Sequence, residues 1–206
     1  MDPATAIKQL KAINKLNSKR EGVMEMRLAA QWPRKYEMLI ATILSAQTRD
    51  EVTIEVCDVL FSKYPKIGDL AKADVEDVRK IIRKVNYSPT KAGRIVETAK
   101  MVVAEGGRIP ETVEGLVKFP GIGRKVANVY LVEAHKKDAI GVDTHVARIS
   151  YKLGWTVSKN PAVIEKDLEK LFPKRYWSKI NEICVRFGKS YGLSRTREDE
   201  VLENLK

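Results

Sequence analysis

The sequence predicts an all-α fold, and three observations lead to that prediction. Apolar residues recur three and four positions apart in one segment after another, which is the spacing of amphipathic helices. Helix-capping residues and glycine or proline breaks separate these segments, and no run alternates apolar and polar residues over the length of a strand. With 206 residues, 44% of them hydrophobic, the chain is long enough for one or two compact domains.

The helical segments follow one another with short gaps. Asp74 and the pair Asn160-Pro161 are typical of helix starts. The polar tail after Gly188 is either partly disordered or ends in one short helix. In chain order, the predicted apolar faces consist of Tyr36, Leu39, Ile40, Ile43 and Leu44; Val52, Val56, Val59 and Leu60; Val75, Val78, Ile82 and Val85; Ile95, Ala99 and Val102; Val146, Ile149 and Leu153; Ile164, Leu168, Leu171 and Phe172; and Trp177, Ile180, Cys184 and Phe187.

The chain is strongly basic, with a net charge of +11. An excess of this size favours a polyanionic partner such as nucleic acid, because basic surfaces release counterions from phosphates. A solvated lysine-rich surface, as in many thermophilic proteins, explains the charge equally well. Charge alone therefore leaves both interpretations open.

The cysteines and the N-terminus indicate where the protein works. Cys57 and Cys184 lie among apolar residues, which predicts buried thiols in a reducing compartment, and no close Cys or His spacing predicts a zinc or iron–sulfur site. The start "MDPATAIKQL" has no apolar run of signal-peptide length, and no segment approaches the length of a membrane span. We therefore expect a soluble intracellular, cytoplasmic protein with no membrane partner.

The stretch "FPGIGRK" predicts a tight turn between two helices. Gly121 and Gly123 allow backbone angles that other residues avoid, and Ile122 between them is a hydrophobic plug for the turn. Backbone N–H groups exposed at such a turn, at a helix start, can bind a phosphate, and Arg124 adds a cation. An ordinary link between helices is the simpler interpretation of two glycines, and the net charge favours the phosphate site.

Lys125 occupies an unusual place for a lysine. The positive end of the helix dipole and the charge of Arg124 both disfavour its ammonium form. A neutral amine is a nucleophile, so Lys125 beside a phosphate-binding turn suggests Schiff-base chemistry on nucleic acid. The simpler interpretation is an ordinary surface lysine.

The stretch "IGVDTHVARI" predicts a second helix start with polar residues at its mouth. Asp143 is a helix N-cap by residue preference, and the same carboxylate can take a proton from Lys125 or stabilise positive charge on a sugar. His145 is either a residue of the capping region or a hydrogen-bond donor to phosphate, and we favour the second.

Three stretches together resemble the endonuclease III family of helix-hairpin-helix DNA glycosylases. They are "FPGIGRKVANVYL", "VDTH" and "YEMLIATILSAQTRD", in the family's order, and the resemblance covers roughly residues 30 to 190. It implies that Lys125 is the catalytic lysine that attacks C1′ of the damaged nucleotide and that Asp143 is the essential carboxylate. It also implies that residues 121–123 hold backbone phosphate, in family members often with a bound monovalent cation.

The resemblance identifies further candidates for DNA contact. Gln47 matches the glutamine that fills the gap left by an extruded nucleotide, and Tyr87 falls at the position of an intercalating wedge, with Lys91 expected at the DNA as well. A solvent-facing loop residue and a partly buried loop aromatic are the simpler interpretations of Gln47 and Tyr87. Related enzymes commonly have glycine at the position of Asn86 and tyrosine at that of Ser88, and this departure leaves base specificity open.

The C-terminal region departs further from the family, which usually has four cysteines that bind a [4Fe–4S] cluster there. By alignment through Gly188, the first ligand falls at Gly192, and no cysteine follows Cys184. We expect no cluster, because two distant cysteines cannot supply four ligands. The tail must then dock by ordinary packing or not at all. The basic residues that could replace part of the lost positive surface are Lys189, Arg195 and Arg197.

The resemblance implies two helical lobes with a central cleft that holds Lys125 and Asp143. Residues 28–137 are expected to form a six-helix lobe with the hairpin, and residues 1–27 and 138–206 the other lobe. The implied function is bifunctional: removal of oxidised pyrimidines from duplex DNA, then strand cleavage by β-elimination through a lysine Schiff base, without a consumed cofactor. The implied partner is double-stranded DNA with damaged bases or abasic sites, bound by a nucleoid-associated monomer.

Three alternatives remain at the level of sequence. A monofunctional adenine- or thymine-mismatch glycosylase of the same fold would usually not keep a lysine at position 125. Ser88 nevertheless leaves that alternative open. An enzyme acting mainly on abasic sites would keep Lys125 and lose the base pocket. A non-catalytic hairpin module that binds DNA would need neither Lys125 nor Asp143.

Overall fold

The protein is all-α, as predicted. The computed structural model describes residues 1–192 and 194–206, and the side chain of Arg195 also lies outside the description. Within the described residues the regular structure is helical, with no strand. The helices, in chain order, are α1 (Pro3–Ser18), α2 (Lys35–Ser45), α3 (Asp50–Lys63), α4 (Ile67–Ala71), α5 (Val75–Ile81), α6 (Ser88–Ala104), α7 (Val113–Leu116), α8 (Arg124–His135), α9 (Thr144–Lys152), α10 (Pro161–Leu171), α11 (Trp177–Tyr191) and α12 (Arg195–Glu203), with a 3₁₀ turn at Lys174–Tyr176.

The chain divides into two compact units. One consists of residues 27–135 and contains α2 to α8, and the other consists of residues 1–26 and 136–206 and contains α1 and α9 to α12. The lobes expected from sequence, 28–137 and the remainder, have boundaries one or two residues from these. The unit 27–135 has seven helical segments rather than six, because Thr112 caps α7 as a separate single turn: its Oγ1 accepts from Gly115 N at 3.1 Å.

Apolar helix faces form the core of the unit 27–135. Leu39, Ile40 and Leu44 of α2 are inaccessible to solvent, and Val78 of α5 and the predicted apolar residues of α6 pack into the same cluster. The prediction is wrong for Val59 and Val75, which are exposed. The faces contact one another because each helix places its apolar residues on one side, which removes them from water. Ile122 of the glycine turn belongs to this cluster too, so the turn is attached to the core by its own side chain.

The second unit joins the two ends of the chain. In α1, Gln9 accepts a hydrogen bond from Trp155 Nε1 at 2.7 Å through its Oε1, and its Nε2 donates to the Leu205 carbonyl at 3.1 Å. Further along α1, Asn17 Nδ2 donates to the Ile183 carbonyl of α11 at 3.1 Å. These buried amides bond to partners far away in sequence, which specifies how α1 lies on the rest of the unit, although the Oδ1 of Asn17 is buried without a hydrogen-bond partner.

Local signals in the sequence correspond to the observed helix starts. The Asp74 carboxylate accepts from the backbone N–H groups of residues 76 and 77, and Asn160 Oδ1 accepts from Ala162 N at 2.9 Å with Pro161 as the first helical residue. Both N-cap predictions are confirmed. No helix of the described residues is long and apolar enough to cross a lipid bilayer.

The polar tail ends in a short helix, α12, and a buried carboxylate holds that helix in place. Glu198 is 1% exposed. Its two oxygens each accept from the Arg148 guanidinium at 2.8 Å, and Oε1 also accepts from Lys152 Nζ at 2.8 Å, so both cations come from α9. Leu202 adds an apolar contact to the core of this unit. The tail therefore docks by packing and by one carboxylate shared between two cations, an arrangement we call the Glu198 clamp.

We expect the Glu198 clamp to weaken in acid. Burial alone raises the pKa of Glu198, but the hydrogen bonds and charges of Arg148 and Lys152 outweigh burial and hold it below its ordinary value of 4.5. A carboxyl with a lowered folded-state pKa stabilises the protein above its unfolded-state pKa, and this contribution is lost as pH falls through the folded pKa. Below about pH 4.5 the wild-type free energy of unfolding should therefore fall more steeply than that of Glu198→Gln.

Urea unfolding at a series of pH values measures this difference. At neutral pH, Glu198→Gln should cost about 2 kcal/mol, because the cations lose a charged hydrogen-bond partner. Glu203→Gln on the same helix is the control, since that side chain is 70% exposed and should matter little. Parallel pH profiles for wild type and Glu198→Gln would show that the carboxyl is not the titrating group.

Candidate active site and nucleic-acid interface

The glycine turn lies between α7 and α8 and is closed by its own backbone. Ile122 N donates to the Phe119 carbonyl at 3.2 Å, and Ala127 N donates to the Gly123 carbonyl at 3.0 Å, which starts α8 directly after the turn. Ile122 is 5% exposed, so the hydrophobic plug predicted from sequence is confirmed. The first backbone N–H groups of α8 have no acceptor within the helix, which is the feature that makes a helix start able to bind an anion.

The two glycines of the turn meet different requirements. Gly121 has φ of +83°, and a Cβ there would lie 2.9 Å from Cδ of Arg94 and 3.4 Å from Cγ2 of Ile43. Gly123 has an ordinary φ and is exposed, and a Cβ added there would meet no heavy atom within 4 Å. Gly121 is therefore needed for the conformation, whereas Gly123 leaves the backbone open to an approaching ligand.

Two cations begin α8, and no acidic residue occupies its first turn. Arg124 is exposed. Lys125 is partly buried and forms no hydrogen bond or ion pair within the unit 27–135. The amine of Lys125 thus lies beside the phosphate-binding turn without a carboxylate of its own unit to hold it.

Asp143 is the N-cap of α9 in the other unit. Its Oδ1 accepts from Val146 N at 2.8 Å, so the capping role is confirmed. One oxygen is sufficient for the cap, which leaves Oδ2 for another partner. Lys125 and Asp143 belong to different units, and their action in one site stays a prediction.

The ring of His145, which belongs to α9, packs closely against Gly188 of α11. Its Nδ1 is 3.2 Å from Nη2 of Arg148, and a Cβ on Gly188 would lie 2.0 Å from the same nitrogen. Burial, aided by the charge of Arg148, lowers the pKa of His145 below its ordinary value, although Asp143 and Glu198 act in the opposite direction. Because a guanidinium only donates, Nδ1 is the acceptor, and the neutral ring carries its proton on Nε2.

Gln47 occupies the third position of a tight turn at residues 45–48. Thr48 N donates to the Ser45 carbonyl at 3.0 Å, Ala46 has φ of −57° and ψ of 117°, and Gln47 has φ of +57°. These angles are those of a type II turn, whose third position favours glycine. Gln47 is exposed and holds a conformation that costs a non-glycine residue roughly 1 kcal/mol or more.

Tyr87 has the same unusual backbone conformation. Its φ is +60°, and its side chain, at the start of α6, is 66% exposed, which excludes the interpretation as a partly buried loop aromatic. Ser88, the first residue of α6, follows it. Gln47 and Tyr87 are thus both exposed, as contact with DNA requires, and their roles there stay predictions.

Lys91 points inward. It is 4% exposed, and its ammonium donates to the carbonyls of Leu44 at 2.7 Å and Ala46 at 2.6 Å and lies 3.3 Å from Thr48 Oγ1. Burial, and to a smaller extent the charge of Arg94, lowers the pKa of Lys91 to about 8. The side chain expected at the DNA is therefore engaged with the carbonyl end of α2.

Sequence reasoning missed several residues that build these positions. Gly188 leaves space for the ring of His145, Arg148 orients that ring by a hydrogen bond, and Arg94 packs against Gly121. A glycine inside a helix is unfavourable by propensity, so Gly188 within "RFGKSYG" was a usable signal of close packing. Arg94 and Arg148 carried no such signal, because an arginine on a helix is ordinarily solvated.

The residues present do not fit a [4Fe–4S] cluster. Such a cluster takes four thiolates, whereas Cys57 and Cys184 are buried thiols in separate units, and burial raises the pKa of each above its ordinary value. Among the described residues no group of three or more His, Cys, Asp or Glu side chains is placed to hold a metal ion. The buried thiols predicted from sequence are confirmed.

Comparison with known proteins agrees with these features. Residues 40–174 match the HhH-GPD family, described as "HhH-GPD superfamily base excision DNA repair protein". Endonuclease III of Thermotoga maritima is 44% identical over 155 residues, which cover 75% of this chain and 73% of that protein.

Two solved structures have the same fold. A structure described as a non-covalent endonuclease III–DNA complex has a TM-score of 0.85 at 29% identity and covers 95% of this chain and 89% of that chain. A trapped endonuclease III–DNA covalent intermediate has a TM-score of 0.83 at 30% identity, covering 95% and 90%. The match defines the class, base-excision DNA glycosylases of the HhH-GPD superfamily. Within that class the chain belongs to the endonuclease III family.

The two glycines of the turn provide a matched pair of variants. Gly121→Ala should lower the free energy of unfolding by about 1–2 kcal/mol, because alanine disfavours a positive φ and its Cβ would press on Arg94. Gly123→Ala should change it by less than about 0.5 kcal/mol, because its methyl group meets open space. Urea unfolding measures both, and equal losses in the two variants would contradict the assigned difference.

Proposed function

We propose that this protein is a bifunctional DNA glycosylase and AP lyase that removes oxidised pyrimidines from duplex DNA and cuts the resulting abasic strand. The observation that carries the proposal is the position of Lys125. It is the second residue of α8, directly after a turn able to bind phosphate, and no acid lies in the same helical turn. A lysine in that place suits a nucleophile that works on a phosphate-bound sugar.

The first step is the grip on DNA. The positive start of α8, the exposed Gly123 and the Arg124 guanidinium suit one phosphate of the backbone. The net charge of +11 adds a sequence-independent attraction that falls with salt. Extrusion of a damaged base costs a few kcal/mol, less than for a well-stacked base, and this difference contributes to lesion choice.

The chemistry then follows from an amine and a carboxylate. The Lys125 amine attacks C1′, the N-glycosidic bond breaks, and the base leaves with the bonding electrons and takes up a proton. The proton lost by the attacking nitrogen passes to a base, for which we propose Asp143 through Oδ2. The sugar opens to an imine with Lys125, loss of a C2′ proton expels the 3′ phosphate, and water hydrolyses the imine to free the lysine.

His145 has a supporting role in this proposal. The ring is neutral with its proton on Nε2, so it offers phosphate one hydrogen bond rather than a full charge. The orientation is maintained by Arg148, which donates to Nδ1. His145 therefore suits the recognition of a phosphate position more than bulk attraction.

We further propose that the enzyme acts as a monomer on double-stranded DNA and without a [4Fe–4S] cluster. The donor set of the chain does not suit the cluster, and the Glu198 clamp supplies another means of docking the tail. A monovalent cation at the hairpin in the DNA complex stays a prediction, and the carbonyl oxygens of the turn are the ligand type it would use.

One observation favours a second candidate function. Ser88 replaces a tyrosine that related enzymes commonly use in the base pocket, and a small polar residue there gives less contact to a base. An enzyme that acts mainly on abasic sites would keep Lys125 and Asp143 and have little use for such contact. Comparison of cleavage rates on an oxidised pyrimidine and on a preformed abasic site separates the two functions.

Borohydride trapping tests the nucleophile directly. A labelled duplex with one abasic site is mixed with the protein and sodium borohydride, which reduces an imine to a stable covalent bond. Wild type should give a covalent band on a denaturing gel, and Lys125→Gln should lose it by at least about 100-fold while retaining DNA binding. Lys100→Gln, an exposed residue paired with Glu97 on α6, is the control and should trap normally. Absence of a band from folded, DNA-binding wild type would overturn the lyase mechanism.

Two substitutions at Asp143 separate its charge from its capping role. Asp143→Asn keeps an oxygen to accept from Val146 N and loses the negative charge, so we expect a loss of activity of about 100-fold with little change in stability. Asp143→Ala loses both functions and should also cost about 1 kcal/mol of stability. Single-turnover cleavage and thermal unfolding measure the two effects, and full activity in Asp143→Asn would exclude a role for the charge.

A further inference from the structure

Two exposed residues of the unit 27–135 hold the same strained backbone conformation. Gln47 has φ of +57° and Tyr87 has φ of +60°, and they are two of the three non-glycine residues with positive φ among the residues that the structure describes. Neither is asparagine or aspartate, the types that tolerate this region most easily. Conformations of this kind persist only where the surroundings enforce them.

A side-chain bridge joins the segments that carry these two residues. Asn86, immediately before Tyr87, donates from its Nδ2 to the backbone carbonyl of Gln47. The backbone N of Asn86 also donates to Thr48 Oγ1 at 3.3 Å. Gln47 and Tyr87 are 40 positions apart in the chain, yet the side chain and the backbone N of Asn86 both donate hydrogen bonds to the turn that contains Gln47.

Lys91 contacts the same turn from the protein interior. Its ammonium contacts the Leu44 and Ala46 carbonyls and Thr48 Oγ1, which are the end of α2 and both flanks of Gln47. A cation at the carbonyl end of a helix is favourable, and here it is also shielded from solvent. Lys91 and Asn86 both belong to the segment of Tyr87, so that segment provides every one of these contacts to the turn of Gln47.

We propose that Asn86 and Lys91 are positioning residues that join Gln47 and Tyr87 into one rigid pair, which enters the DNA stack as a unit during base extrusion. The inference rests on the proposed function for its DNA substrate. It assigns Asn86 a purpose at a position where related enzymes commonly have glycine. It also explains why Lys91, although basic and close to the proposed interface, directs its charge to backbone oxygens instead of phosphate.

The bridge itself can be tested without DNA. Hydrogen exchange of the backbone amides at residues 44–49 should become about ten-fold faster in Asn86→Ala, because the turn loses a partner and opens more often. Lys84→Ala, which lies in the same loop and removes only an exposed pair with Glu55, should leave this exchange unchanged. Unchanged exchange in Asn86→Ala would overturn the bridge.

A double-mutant cycle tests whether the pair acts as a unit. The readout is the fluorescence of 2-aminopurine placed opposite an abasic-site analogue, in complexes of the Lys125→Gln protein, so that no catalysis is needed. Gln47→Ala and Tyr87→Ala should each reduce the signal, and their effects should be non-additive by about ten-fold in apparent affinity. With Asn86→Ala in the background, the two effects should become additive, and coupling that survives this change would overturn the proposal.

Comparison of two substrates separates positioning from general damage to the protein. In Asn86→Ala, cleavage of a duplex abasic site should fall about ten-fold, whereas cleavage of a single-stranded abasic oligonucleotide, which has no stack to enter, should not change. An equal fall on both substrates would indicate a merely structural role and overturn the proposal. If wild type fails to cleave either substrate, the proposed lyase function is lost, and the fluorescence cycle still decides the pairing.

Lys91→Met tests the contacts that the Lys91 ammonium makes to the turn of Gln47. Lys100→Met on the same helix is its control. Lys91→Met should give the same split between duplex and single strand as Asn86→Ala. Because burial makes Lys91→Met prone to unfolding, its folded fraction is measured by circular dichroism, and the exposed Asn86 variants decide the proposal if it does not fold.

Discussion

The insertion of Ile122 into the core between two glycines is the contact on which the proposed active site depends. The side chain reaches the apolar cluster where the backbone reverses at Gly121, and the residues that follow the reversal, Gly123 and Arg124 at the start of α8, are exposed. The next turns of α8 are anchored in turn, because Ala127 and Tyr130 are fully buried. Lys125 lies between the buried Ile122 on one side and the buried Ala127 and Tyr130 on the other, and this packing fixes its backbone position. A nucleophile placed by core packing needs no polar partner to hold it, and its amine stays available for chemistry.

The parts of this structure that depend on neighbouring residues could be predicted, and the parts that depend on distant ones could not. The N-caps Asp74 and Asn160 and the apolar faces of the helices need only a short window of sequence. The burial of Lys91 and Glu198 depends on partners about 45 and 50 positions away, and each looks like a solvated charge from its own surroundings. The positive φ of Gln47 could not be predicted from the sequence, because the residues that usually indicate such a conformation at that position of a turn are glycine and asparagine.

The Glu198 clamp does more than hold the tail. A buried ion pair is weak support for stability, because the cost of removing charges from water offsets much of the attraction. Such a pair contributes more to specificity. Among the acidic residues of α12, Glu198 is the one whose two carboxylate oxygens both accept from Arg148, so the clamp defines one register of α12 on α9. Arg148 donates to His145 Nδ1 from the same nitrogen that donates to Glu198. The tail is thereby coupled to the tautomer of a residue proposed to contact DNA.

Two departures from the endonuclease III family therefore have a common physical solution. Near the C-terminus, where the family resemblance implies a cluster, one carboxylate and two cations dock α12, and at Asn86, where the resemblance implies glycine, a side-chain amide joins two loops. In each case a directional hydrogen bond restrains a segment with too little apolar surface to pack by itself. The Glu198 carboxylate is buried and the Asn86 amide is exposed, yet both restraints depend on the geometry of the hydrogen bond rather than on apolar area removed from water. Such restraints suit a protein whose proposed task is to open a duplex, because they hold strained, exposed residues ready without covering them.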